Sequence, residues 1–225
     1  MKLPLTLVLA AATAVAAVPN AVQQRLEDSA TVFSEIMHAP DKGIPHDLLE
    51  KAACIVIVPG MKKGAFIVGA KYGKGFILCR SHGRRGWSAP GAVRVEGGSF
   101  GFQIGGSETD VVMLVMNDRG AQKLLQSQFT LGGAGEVAGG PVGRSTTADT
   151  DAKMQAQILS WSRARGVFAG VSLQGATLRQ DLDDNATMYG KKYTNRYIVD
   201  HHVAPPPAAH SLIAMLDRYS PHEKH

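Results

Sequence analysis

The chain has 225 residues, 44% of them hydrophobic and 19% charged, with a formal net charge of +5. That length suits one domain or at most two, and it buries a core without staples. Two cysteines, with no CxxC or Cys/His spacing, exclude a disulfide scaffold and give no sign of zinc.

The chain opens like an export signal. Lys2 is a short positive region, Leu5 to Val15 (LTLVLAAATAV) is uncharged and apolar, and small residues at Ala16 and Ala17 suit cleavage. The run is short for a bilayer span, which needs about 20 residues. Cleavage after residue 17 leaves 208 residues (225 − 17) and, with Lys2 gone, a charge of +4. With no cysteine at the cleavage point, a lipid-anchored end is not indicated. The expectation is a periplasmic or extracellular protein, soluble or bound at a membrane surface.

Asn20 to His38 follows as an amphipathic helix, with Val22, Leu26, Ala30, Phe33 and Met37 on one stripe. Ala39-Pro40 ends it, and a helical turn is expected at Pro45 to Lys51. The period then changes. Ile55–Val58, Ala65–Tyr72 and Gly75–Arg80 read as short strands, separated by Pro-Gly, Lys-Lys-Gly and Gly-Lys-Gly breaks. Val93–Val95 and Ser99–Ile104 are further strands, and Gly105–Glu108 is a turn. Val111–Met116 is continuously apolar, as a strand covered on both faces would be. Asn117 or Asp118 caps a helix through Gln128. The glycine-rich span 132–143 reads as strands and turns, Gln157–Arg163 with Val167–Leu173 as a hairpin, and Asp181–Tyr189 as a short helix. Pro205–Pro207 is a stiff connector before a last helix over Ala208–Tyr219. The expected fold is α+β: a mostly antiparallel, glycine-rich sheet or barrel-like core with flanking helices. The expected division is a signal at 1–17, one domain at 18–203, and the connector with its helix at 204–225.

Charge layout points to a partner. From Lys62 to Arg94 there are eight basic residues (Lys62, Lys63, Lys71, Lys74, Arg80, Arg84, Arg85, Arg94) and no acidic one. A one-sign segment of that size attracts anions. Cys54 and Cys79 lie in apolar strand-like runs; buried free thiols are the favoured reading, and a bridge is the alternative if the two strands are neighbours.

Other motifs carry less. Gly97-Gly98-Ser99-Phe100-Gly101 fits G-x-S-x-G, but Ser99 opens an alternating strand and nothing orders His46 or His82 beside it. Gly133 to Ala138 resembles a dinucleotide fingerprint, yet Gly139, Gly140 and Pro141 forbid the helix it needs. Asp181, Asp183, Asp184 and Asn185 lack the glycine and distal glutamate of a calcium loop. His201, His202 and His210 have no ligand spacing. No general acid/base pair stands out, and no cofactor is indicated.

The segments KGIPHDLLEKAACIVIVPGMKKGAFIVGAKYGKGFILCR, GWSAPGAVRVEGGSFGFQIGGSETDVVMLVMN, SQFTLGGAGEVAGGPVGR and RGVFAGVSLQGATLRQD closely resemble the SYLF domain family. The resemblance runs from Gly43 to about Lys192. It implies a non-enzymatic domain that binds anionic phospholipids, phosphoinositides in animal members, with actin binding in yeast members. Eukaryotic members usually carry a Src-homology-3 or FYVE module, which is not expected here. In animal members an N-terminal amphipathic helix is implicated in membrane contact. The corresponding helix here sets Arg25 against Glu27, Asp28 and Glu35, the wrong sign for anionic lipid.

Lipid binding is therefore expected at basic loops: Lys62 and Lys63, Lys71 and Lys74, and Arg84 and Arg85 beside an interfacial Trp87. The alternative is a structural or assembly protein that engages a protein or polyanionic partner in the cell envelope, with actin only for a cytosolic eukaryotic chain. Export, and the few aromatics in the basic segment for stacking, disfavour nucleic acid.

Overall fold

The computed structural model describes residues 20–39, 43–65, 68–80, 86–100, 105–131, 137–139, 157–164, 167–170, 173 and 175–220. The export signal, Arg84, Arg85 and His82 lie outside these residues.

Helix α1 (Ala21–His38) starts where its cap dictates. The Asn20 side chain accepts from the amides of Val22 (3.1 Å) and Gln23 (2.9 Å), and the Gln23 side chain accepts the Asn20 amide. A second short helix, α2 (His46–Lys51), leads into the sheet. Strands β1 (Cys54–Ala65), β2 (Val68–Cys79), β3 (Gly91–Phe100) and β4 (Gly105–Val115) form its antiparallel centre, in the order β3-β2-β1-β4. Helix α3 (Asp118–Leu124) follows, with the Asn117 side chain accepting the Gly120 amide. Then come β5 (Gln128–Leu131), β6 (Val137–Gly139), β7 (Ile158–Ala164), β8 (Val167–Gly170) and β9 (Ala176–Gln180). The chain closes with α4 (Leu182–Tyr189), α5 (Asn195–Asp200), a 3-10 turn (Pro207–Ala209) and α6 (His210–Tyr219).

The described strands make one open sheet, ordered β5-β9-β3-β2-β1-β4-β7-β6, with β8 paired to β7. All described pairs are antiparallel except β6 with β7. The α+β expectation holds, as an open sheet rather than a barrel. Each central strand feeds two cores because its side chains alternate. On one face Ile55, Ile57, Phe76, Leu78 and Trp161 pack with Leu26, Phe33 and Ile36 of α1 and Leu212 and Leu216 of α6. On the other, Val56, Val58, Met61, Ile77 and Met113 pack with Leu124 of α3, Leu131 of β5 and Val199 of α5. Val111 to Val115 is buried throughout, as its unbroken apolar run requires.

Four expected breaks are absent. Pro59-Gly60 and Lys62-Lys63-Gly64 do not end β1, Gly73-Lys74-Gly75 does not end β2, and the expected turn at Gly105–Glu108 is the first part of β4. Between Val58 and Met61 the register of β1 against β4 moves by two residues of β4 for three of β1, so the Pro-Gly pair forms a one-residue bulge. Proline has no amide to lose from the ladder, Gly60 takes φ +59°, and its N–H donates to the Asp110 carboxylate at 2.9 Å. The lysines expected in loops therefore sit on paired strands.

The cysteines also differ from the favoured reading of free thiols. Cys54 lies opposite Cys79 in the β1–β2 register, and the two are disulfide-bonded. The neighbouring pair is tied by Arg80 N–H to Ala53 C=O at 2.8 Å, and the Cys79 amide and carbonyl both turn outward to Ser88. Cys54 and Cys79 thus form a non-hydrogen-bonded pair, where cross-strand side chains come closest.

Candidate functional site

Beyond the bulge, β1 and β2 continue as a paired extension that carries three of the expected cations. Lys62 lies opposite Tyr72, and Lys63 opposite Lys71. Alternation assigns their faces. Met61 belongs to the second core, so Lys63 and Lys71 share that side, while Lys62 and Tyr72 share the side of α1. Cross-strand neighbours stand about 4.5–5.5 Å apart at Cβ. Burial, with the Lys71 charge added to it, pushes the Lys63 ammonium below its ordinary value. Neither Lys63 nor Lys71 has an ion pair among the described residues. Tyr72 is 46% exposed beside Lys62. It was not among the expected site residues; its signal lay in the strand alternation, which puts it level with Lys62.

Lys74 lies on the α1 face of β2 but is consumed. Its ammonium is 2.8 Å from Asp181 and 3.2 Å from Asp184, and Asp184 also receives Arg25 of α1 at 2.6 Å. Four charged side chains thus cross-link α1, β2 and the start of α4. Burial would lower the Lys74 pKa, but hydrogen bonds to Asp181 and Asp184 outweigh it and raise it. Burial likewise opposes the ionised Asp181, while the hydrogen bond from Lys74, the Asp184 amide and the charges of Lys74 and Arg94 hold its carboxyl below the usual value. The cluster is structural, and Lys74 drops out of the candidate surface.

Trp87, expected at an interface, is 6% exposed and belongs to the core shared with α1 and α6. It forms an isolated bridge with Arg80, whose guanidinium carbon lies 4.1 Å from the centre of its ring. Arg80 spends its donors on the carbonyls of Leu49, Glu50, Ala52 and Ser220 and on the Ser220 hydroxyl. Arg94 faces Glu96 at 2.9 Å, and Arg179 reaches the same carboxylate. Of the basic segment, Lys62, Lys63 and Lys71 remain on the described surface.

The other motifs find structural roles. Ser99 lies within β3, opposite Gly69 of β2, not on a strand-to-helix turn. Val137–Gly139 is a strand, where a dinucleotide fingerprint would need a helix to start. Asp181 caps α4 through the Asp184 amide, and Asn185 binds the Ala92 amide at 2.7 Å. His201 stacks on Tyr197 with ring centres 4.0 Å apart, and His46 sits against Tyr219. Among the described residues no group of three His, Cys, Asp or Glu is placed to hold a metal ion, and no helix is long and apolar enough to cross a membrane. A polar cleft of about 380 Å³ opens between α1 and the bulge; Arg163 on its wall is held by Asp110 at 2.6 Å and by Glu35.

Comparison with known proteins adds the lineage. Residues 96–219 match the Ysc84 family, described as Las17-binding protein actin regulator. The chain belongs to the Ysc84 (SYLF) family. It is 33% identical over 197 residues to SH3 domain-containing YSC84-like protein 1 of Xenopus laevis, covering 87% of this chain and 58% of that protein. The Homo sapiens protein of the same name is 31% identical over 209 residues, covering 90% and 60%. LAS seventeen-binding protein 3 of Saccharomyces cerevisiae is 30% identical over 210 residues, covering 89% and 45%. The chain therefore spans about three-fifths of these animal Ysc84 relatives and under half of the yeast one.

Proposed function

We propose that this domain is a non-enzymatic binding module for anionic phospholipid surfaces and that Lys62, Lys63 and Lys71 carry the contact. The supporting observation is the Lys63–Lys71 pair: two ammonium groups held opposite each other on paired strands, with no described acid beside them. Like charges held close repel, and a lipid phosphate between them relieves that repulsion. Each basic residue near an anionic surface contributes on the order of 1 kcal/mol, so three make a reversible contact that salt weakens. The helix α1 is not a candidate for it, since its apolar stripe is spent in the core.

The reading includes export. Its supports are the sequence of residues 1–17 and the Cys54–Cys79 bond, because disulfides persist in oxidising compartments. Sedimentation with phosphatidylglycerol vesicles at low salt tests the lipid assignment against phosphatidylcholine alone. Binding to the anionic vesicles only, lost as salt rises, is the expected result; no binding at low salt overturns it.

A second reading follows the family description. A Ysc84 domain that engages a protein, as the Las17-binding name and the term actin regulator say of the family, would co-sediment with a protein filament and ignore lipid. The same vesicle assay, run beside filamentous actin, separates the two.

A further inference from the structure

We propose that the free end of the β1–β4 sheet enters an anionic bilayer end-on, with Lys62, Lys63, Lys71 and Tyr72 as a collar at headgroup level. The inference rests on the lipid reading above and adds orientation and depth to it.

Register brings four strand ends together. Ala65 pairs with Gly69 and with Gly105, and Val68 pairs with Phe100, so β1, β2, β3 and β4 finish at one end of the sheet. Beyond the collar the sequence changes character. The described residues there, 64–65, 68–70, 97–100 and 105–107, include no charged residue, so each is apolar, small or neutral polar.

The collar surrounds this end instead of lining one face. Lys62 and Tyr72 lie on the α1 side, with Glu108 opposite Lys62 on β4 and Glu96, already held by Arg94 and Arg179, opposite Tyr72 on β3; Lys63 and Lys71 lie on the other side. A membrane lying flat against either face would meet only part of the set. A membrane across the end meets all four, with each long side chain snorkelling along the sheet to reach phosphate. Tyr72, nearly half exposed, is of the type enriched at such interfaces.

Strand length limits the depth. From Lys63 to Ala65 and from Lys71 back to Val68 are two and three residues, so the strands project about 7–10 Å past the collar at ~3.3 Å per residue. That matches the interfacial zone, where buried apolar faces reach about 5–10 Å. Among the described residues β9 pairs with β3 as far as Gly97 and β7 with β4 as far as Asp110. The short reach of strand past the collar makes the insertion shallow.

An environment-sensitive fluorophore tests this. Gly64 is exposed and a Cβ there meets no atom within 4 Å, so Gly64→Cys is accommodated, and the native cysteines are bonded to each other. Ser107→Cys, opposite Lys63 on β4, is a second position at the same level. Arg119→Cys, at the exposed start of α3, marks the other end of β4, ~30 Å away at the rise of a strand. With the label NBD and phosphatidylglycerol vesicles, the Gly64 and Ser107 positions should brighten and shift to the blue, with quenching by shallow spin-labelled lipid. The Arg119 position should not change. Bound protein whose Gly64 and Ser107 labels stay in water, or whose Arg119 label responds equally, overturns end-on insertion and leaves the lipid reading standing. Absence of vesicle binding by all three overturns both.

Discussion

Arg80 lies with its guanidinium carbon 4.1 Å from the centre of the Trp87 ring, and the pair joins the end of β2 to the C-terminal helix. The same guanidinium donates to carbonyls at the end of α2 and to Ser220 just after α6. Helix C-termini leave carbonyls without partners, and Arg80 serves two of them at once. Burial pushes the Asp217 carboxyl of α6 above its ordinary value, against the Trp87 backbone and the Arg80 charge, which favour its ionised form.

Removing either partner should therefore loosen α6. Trp87→Ala empties a core position and should cost about 3–5 kcal/mol. Arg80→Lys should also destabilise, because an ammonium cannot reproduce the planar fork that spans these carbonyls. Thermal melts check both. Vesicle affinity measured where the variants remain folded should be unchanged, since neither residue belongs to the collar.

The Lys74–Asp181 pair predicts a pH profile with two declining flanks. Asp181 is held below its ordinary value of 3.8, so its contribution is complete above that pH and is lost as pH falls through the folded value. Lys74 is held above 10.5, so its contribution is complete below that pH and is lost as pH rises through the folded value. Stability from this pair should be flat between about pH 5 and 9. Lys74→Met should reduce the plateau and flatten the alkaline flank, as read by melting temperature against pH.

The Cys54–Cys79 bond closes a loop with a sequence separation of 25. By loop-closure entropy, its loss should lower stability by about 3 kcal/mol. The oxidised protein should weigh two hydrogens less than the reduced one in intact mass spectrometry, and it should resist alkylation until reduced. The double variant Cys54→Ser/Cys79→Ser should melt lower than the oxidised protein and match the reduced one more closely.

Gly75 and Gly64 should respond oppositely to the same substitution. A Cβ on Gly75 would overlap the Ile57 carbonyl oxygen, a backbone atom beside the bulge. Gly75→Ala should cost about 3 kcal/mol through overpacking, or prevent folding. Gly64→Ala, which meets nothing, should be close to neutral. Denaturant titration of the two compares them directly.

Local signals were legible where a few adjacent residues decide the structure. The stripe Val22, Leu26, Ala30, Phe33 and Met37 announces α1, the run Val111–Val115 announces a doubly covered strand, and β7–β8 is the expected hairpin. Pro59-Gly60 misled because the pair reads as a turn, while the Asp110 carboxylate that turns it into a bulge sits on another strand. Helix α5 is one short element capped by Thr194, with too few residues to show a period. At the site, the positions of Lys62, Lys63 and Lys71 in a basic segment were readable. The fate of Lys74 was not, because Asp184 lies 110 residues away. Trp87 beside basic residues resembles an interfacial anchor, and only the β2 bridge to Arg80 reveals it as core.

The most direct test of the account is equilibrium binding to phosphatidylglycerol vesicles, comparing the unaltered protein with Lys62→Glu/Lys63→Glu/Lys71→Glu at low salt. Three lost attractions of about 1 kcal/mol each weaken binding at least a hundredfold, and the residual salt dependence should be shallower. Affinity within a few fold of the unaltered protein, with the triple variant still folded, would contradict the assignment of lipid binding to this end of the sheet.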